Sequence, residues 1–123
     1  MLQKYDPRNK NIKVWIDGTL YKREDAKISV FDSLSQGGDA VWEGLRVYDG
    51  RIFSLDEHLN RLMNSAKSLA FEKIPSIVFI KDAIFNTLKA NKMYDETHIR
   101  LTLTRGKKIT SGMNPQLNQF GCT

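Results

Sequence analysis

The chain has 123 residues, a formal net charge of +5, one cysteine, and 41% hydrophobic against 27% charged residues. That length gives one domain able to bury a single core, and the composition excludes wholesale disorder. No apolar run approaches the roughly 20 residues needed to span a bilayer, and the opening Met1-Leu2-Gln3-Lys4-Tyr5-Asp6-Pro7 is not a secretory signal. Cys122, alone and without Cys or His neighbours, fits neither an internal disulfide nor a zinc site. The expectation is a soluble, reduced, cytoplasmic protein with no metal. Cations are in excess near both ends of the chain, while its middle is close to neutral. Nucleic acid is disfavoured as a partner, because Lys107-Lys108 has no interleaved aromatic residue.

Val14-Trp15-Ile16, Asp17-Gly18 and Thr19-Leu20-Tyr21 read as a β-hairpin, since an Asp-Gly pair between β-prone runs supplies the turn. Ile28-Ser29-Val30-Phe31 reads as a short strand. The hairpin device recurs at Val41 to Tyr48, Asp49-Gly50 and Arg51-Ile52-Phe53. Ser54-Leu55-Asp56-Glu57 then reads as a capping box. It opens a helix whose stripe is Leu55, Leu59, Leu62, Met63, Ala66, Leu69 and Ala70. Pro75-Ser76 starts a second helix, striped by Ile77, Ile80, Ile84 and Leu88. From His98 to Arg105, apolar Ile99, Leu101 and Leu103 alternate with His98, Arg100, Thr102 and Thr104, which is strand period. Gly112-Met113-Asn114-Pro115 reads as a loop. This order predicts an α+β fold: a two-layer sandwich, an antiparallel sheet with two helices on one face. A further strand or second domain is expected beyond it.

On the first helix Arg61 falls about 140° from the middle of the apolar stripe, away from the core. It is either an ordinary solvated arginine or a guanidinium fork reaching a ligand anion. The last strand must turn its apolar side to the core, leaving His98, Arg100, Thr102 and Thr104 on the other face. The second hairpin places Trp42, Arg46 and Tyr48 opposite Val41, Leu45 and Val47. Such a polar face either meets water or lines a cleft, and a tryptophan beside an arginine favours a contact surface. His58 lacks metal-ligand spacing to carboxylates, and Glu57-His58 reads as ordinary polar residues at a helix start.

Gln36-Gly37-Gly38-Asp39-Ala40-Val41-Trp42-Glu43-Gly44-Leu45-Arg46-Val47-Tyr48-Asp49-Gly50, then Asp56-Glu57-His58-Leu59-Asn60-Arg61-Leu62 and His98-Ile99-Arg100-Leu101, resembles the class IV pyridoxal-phosphate aminotransferases. The resemblance runs from about Val14 to Pro115 and is most like the branched-chain type. It implies that residues 1–123 are the small N-terminal domain. The second domain, which carries the catalytic lysine, is absent from this chain, so no catalytic residue is assigned here and the chain alone is expected to be inactive. Arg61 matches the arginine that grips the cofactor phosphate. Trp42 matches an aromatic position against the substrate side chain, and Arg100 an arginine that helps orient the substrate. Gly112 and Met113 fall in the interdomain loop that approaches the partner subunit's pocket.

The resemblance further implies pyridoxal 5'-phosphate as cofactor, an amino acid and a 2-oxo acid (2-oxoglutarate) as substrates, its own C-terminal domain as partner, and a homodimer or higher homo-oligomer. Gly37 stands where branched-chain members often carry a Tyr, which with Trp42 nearby implies a reshaped pocket; His98 replaces another Tyr common in them. Thr110 and Gly112 stand where the D-amino-acid enzymes carry an Arg and a His, which disfavours D-specificity. The alternatives are an aminodeoxychorismate lyase or a D-amino-acid aminotransferase of the same fold. A non-enzymatic domain binding an anionic partner through the polar face is the third.

Overall fold

The computed structural model describes residues 4–123, so Met1, Leu2 and Gln3 of the N-terminal stretch read above lie outside the described residues. In chain order it forms β1 (Lys13–Ile16), β2 (Thr19–Lys22), a short helix α1 (Ser33–Gly37), β3 (Ala40–Tyr48) and β4 (Arg51–Ile52). Then come α2 (Leu55–Ser68), α3 (Ile77–Asn91) and β5 (Thr97–Thr104). Single 3₁₀ turns lie at Pro7–Asn9, Arg23–Asp25 and Pro115–Leu117. The strands make two antiparallel groups, a β1-β2 ribbon and a three-stranded sheet in the order β4-β3-β5. The fold is the expected mixture of helices and antiparallel strands.

Both Asp-Gly hairpins form. Asp17 and Gly18 sit at φ 49° and 94°, Asp49 and Gly50 at φ 49° and 74°. Two successive positive φ values match the right-handed twist of the flanking strands, and Gly supplies the second at no steric cost. One face of β3 then buries Val41, Leu45 and Val47 against Leu59, Leu62 and Ala66 of α2 and Ile80, Ile84 and Leu88 of α3, joined by Leu103 of β5. Each fully buried aliphatic side chain contributes roughly 1.5–3 kcal/mol. This shared core fixes which way the opposite face of the sheet points. At the far edge α3 packs on β1, where Trp15 meets Phe79 edge-on at 5.7 Å between ring centroids. The Ser76 hydroxyl oxygen caps α3 by accepting from the Phe79 N–H at 3.1 Å.

Four local expectations are corrected. Ile28 to Phe31 is a turn and not a strand: the Ser29 Oγ accepts from the Phe31 N–H and the Ser29 carbonyl from the Asp32 N–H. Asp32 follows as N-cap of α1, an element the sequence reading lacks. The Ser54/Glu57 capping box does not form, because Ser54 is left-handed at φ 51° where the chain leaves β4, and its side chain makes no cap bond. The first helix ends at Ser68. Leu69 stays exposed and Ala70 turns left-handed at φ 56°, so neither extends the stripe. Thr104, assigned to the open face, is buried: its hydroxyl donates to Asp32 Oδ2 at 3.1 Å and accepts from the Gly106 N–H at 3.0 Å.

The end of β5 is tied to the rest by Arg105, which bonds Asp39 through Nε at 2.6 Å and donates to the Leu69 carbonyl at 2.7 Å. Its guanidinium lies over the Phe71 ring. The Thr104 N–H donates to the Thr123 carbonyl at 2.8 Å, so the last residues run beside the strand end. Gly106, at φ 112°, lies so close to this segment that an added Cβ would collide with the Gly121 carbonyl oxygen. Among the described residues no helix is long and apolar enough to cross a membrane.

Candidate active site

Alternation along β3 turns Trp42, Gly44, Arg46 and Tyr48 to the face opposite the core. The β3–β5 register sets Trp42 opposite Thr102, Gly44 opposite Arg100 and Arg46 opposite His98. Diagonal neighbours therefore meet. The Arg100 guanidinium carbon lies 3.9 Å from the centroid of the Trp42 ring, a cation–π stack. His98 leans over Gly44, where a Cβ would sit 3.1 Å from its Nε2 and 3.6 Å from the Trp42 ring. A side chain at Gly44 would therefore crowd the imidazole. Arg46 packs over Tyr48 and donates from Nε to its hydroxyl at 3.4 Å. Trp42 is 54% exposed, a large aromatic on an open face. Neither Arg46 nor Arg100 has a carboxylate partner among the described residues. The face offers cations and ring surfaces to an anionic ligand.

The core face of β3 carries one exception to its apolar pattern. Glu43 is 6% exposed between Val41 and Leu45. A carboxylate there needs partners, and α2 supplies two from one turn. His58 Nδ1 donates to Glu43 Oε1 at 2.9 Å, and Arg61 Nε donates to Oε1 at 2.8 Å and Oε2 at 3.1 Å. Burial pushes the Glu43 carboxyl up, but the hydrogen bonds from His58 and Arg61 and the charge of Arg61 outweigh it and hold the carboxyl below its ordinary range. The Arg61 side chain remains 67% exposed. Its Nη2 lies 3.5 Å from His58 Nδ1, whose proton is committed to Glu43, and Nη1 has no partner among the described residues.

The site residues named from sequence fall in three places. Trp42 and Arg100 meet on the open face. Arg61 lies off the apolar stripe, as the helical spacing predicts, but it is tied through Glu43 to the other side of β3. Gly112 and Met113 lie in a loop beside α1: the Gly112 carbonyl accepts from Lys108 Nζ at 2.6 Å, and the Met113 methyl would be 2.9 Å from a Cβ at Gly37. Sequence reasoning missed Glu43 and set His58 aside as a helix-start residue. The signal was present, since strict alternation puts an acid on the apolar side of Val41-Trp42-Glu43-Gly44-Leu45.

A family model described as amino-transferase class IV matches residues 40–118, a span holding Trp42, Glu43, His58, Arg61, Arg100, Gly112 and Met113. The chain belongs to the class IV aminotransferases. Over 117 residues this class IV chain is 58% identical to branched-chain-amino-acid aminotransferase-like protein 1 of Arabidopsis thaliana, a match covering 95% of this chain and 21% of that protein. It is 31% identical to a D-alanine aminotransferase of Bacillus licheniformis, covering 89% of the chain and 40% of the relative. Its fold matches the T.th. branched-chain amino acid aminotransferase solved with N-(5'-phosphopyridoxyl)-L-glutamate. That match has a TM-score of 0.79 and 32% identity, over 92% of this chain and 39% of the solved one. The chain thus spans well under half the length of these relatives.

Proposed function

We propose that residues 1–123 form the small N-terminal domain of a pyridoxal-phosphate transaminase. It moves an amino group between an amino acid of branched-chain type and 2-oxoglutarate. The catalytic lysine belongs to a second domain, and this chain alone does not turn over. The assembled enzyme is a cytoplasmic homodimer or higher homo-oligomer. The branched-chain names of the Arabidopsis and T.th. proteins support the substrate class.

The observation that carries this reading is the state of Arg61. Its Nε is engaged by Glu43, Nη2 lies 3.5 Å from a His58 Nδ1 that already donates to Glu43, and Nη1 has no partner among the described residues, in a side chain that stays exposed. A guanidinium with a free two-donor edge suits a phosphate group, so the donor set fits the cofactor. Arg61 would hold the phosphate. Trp42 would wall the substrate side chain, and Arg100, held flat by the Trp42 ring, would orient the substrate. Gly112 and Met113 would approach the pocket of the partner subunit. When bound, pyridoxal phosphate supplies an electron sink, and the protein supplies anchoring and orientation.

The test uses the full-length enzyme loaded with pyridoxal phosphate and offered L- or D-amino acids, with and without 2-oxoglutarate. Glutamate formed from L-leucine, L-isoleucine or L-valine is the expected result. Turnover of D-alanine alone would move the enzyme to the D-specific group. Pyruvate released from aminodeoxychorismate without an amino acceptor would make it a lyase.

A further inference from the structure

Glu43 is a strange choice for a sheet face that is otherwise apolar. Replacing a buried ion pair by apolar residues of similar size is commonly neutral or stabilising, so core stability alone does not call for an acid here. The pairing geometry points to a second use. Glu43 engages Arg61 through Nε; no carboxylate among the described residues holds Nη1 or Nη2, and Nη2 lies 3.5 Å from His58 Nδ1, whose proton goes to Glu43. His58, one helical turn before Arg61, donates to the same carboxylate oxygen and helps fix the carboxyl group in place.

From this geometry we infer that Glu43 is a positioning residue: it holds Arg61 by Nε so that the free guanidinium edge is presented to the cofactor phosphate. This rests on the assignment of Arg61 to the phosphate. An exposed arginine keeps considerable rotamer freedom, which an anion must freeze when it binds. A guanidinium already held at Nε loses less, and the difference appears as affinity. The negative charge of Glu43 acts against this by reducing the pull of Arg61 on an anion. The two effects predict opposite outcomes, so experiment separates them.

The experiment measures equilibrium dissociation constants of pyridoxal phosphate and of pyridoxal, which lacks the phosphate, on the full-length apoenzyme. The variants are Glu43→Leu, Glu43→Gln and Arg61→Ala. Holding by Glu43 predicts that Glu43→Leu weakens pyridoxal phosphate about tenfold and leaves pyridoxal unchanged. Glu43→Gln, whose amide oxygen still accepts from Nε, should stay within about threefold of the parent. The inference is overturned if both Glu43 variants bind pyridoxal phosphate more tightly, which would make the charge dominant. Equal weakening for both ligands, together with a lowered melting temperature, would also overturn it and leave Glu43 a purely structural residue. If Arg61→Ala itself leaves the preference for the phosphorylated ligand intact, the assignment of Arg61 fails. If Arg61→Ala removes that preference while the Glu43 variants keep it, only the role of Glu43 fails.

Discussion

The two faces of one strand divide the work of this domain. On one side of β3, Val41, Leu45 and Val47 close a core with α2 and α3. On the other, Trp42, Arg46 and Tyr48 stand with His98 and Arg100 and bury little. Substitutions on the first face act on folding, and those on the second act on whatever covers it. Glu43 belongs to the first face by alternation, yet it is bonded to Arg61, whose side chain stays exposed on α2.

The largest contrast comes from truncating each face in turn. Leu45→Ala, at a fully buried position, should remove about 3–4 kcal/mol of stability in urea denaturation. Trp42→Ala should cost less than about 1 kcal/mol, because its main partner is an exposed stack with Arg100. Equal losses would erase the division between the faces. Gly106→Ala should cost more than about 2 kcal/mol in the same assay. Its Cβ meets backbone at Gly121 in a left-handed conformation, and the last residues must leave the end of β5. Full stability in that variant would show that this segment contributes nothing to the fold.

Arg61→Ala sharpens the comparison from the ligand side. Loss of a charge-assisted pair is worth about 2–3 kcal/mol, or roughly 30- to 150-fold in pyridoxal-phosphate affinity of the full-length enzyme. Stability of the apoenzyme should fall as well, because the buried Glu43 carboxylate keeps only His58 as a side-chain partner. The smallest effect is in the acid limb of stability. The folded-state pKa of Glu43 lies below its ordinary 4.5, so its stabilisation is complete above that pH and fades as the pH falls through the lower folded value. Glu43→Gln should therefore flatten the loss of stability as the pH falls below the ordinary carboxyl value, relative to the parent. Parallel curves would mean that the pair with Arg61 is not formed in solution.

Much of this was legible because it is local. The Asp17-Gly18 and Asp49-Gly50 turns need only the conformations that their own residues favour, and the Leu59, Leu62, Ala66 stripe needs only helical period. Ser29 and Ser54 take other roles than the sequence suggests, and Asp32 draws no reading from it, because each has more than one backbone group within reach. Which group it takes depends on where β5 and β4 arrive, as the Asp32 bond to Thr104 shows. Glu43 could be placed on the core side by counting, but its partners come from a helix that only tertiary packing lays across β3. His58 and Arg61 look solvated until that acid is seen beneath them.

The most direct test of the central claim, that this domain anchors a cofactor whose covalent lysine lies elsewhere, is a pyridoxal-phosphate titration of the 123-residue chain. The adducts are trapped with borohydride and mapped by peptide mass spectrometry. Scattered, substoichiometric adducts across the surface lysines are the predicted result. One saturable adduct at a single lysine, in equal proportion to protein, would contradict the account and place a complete site within these residues.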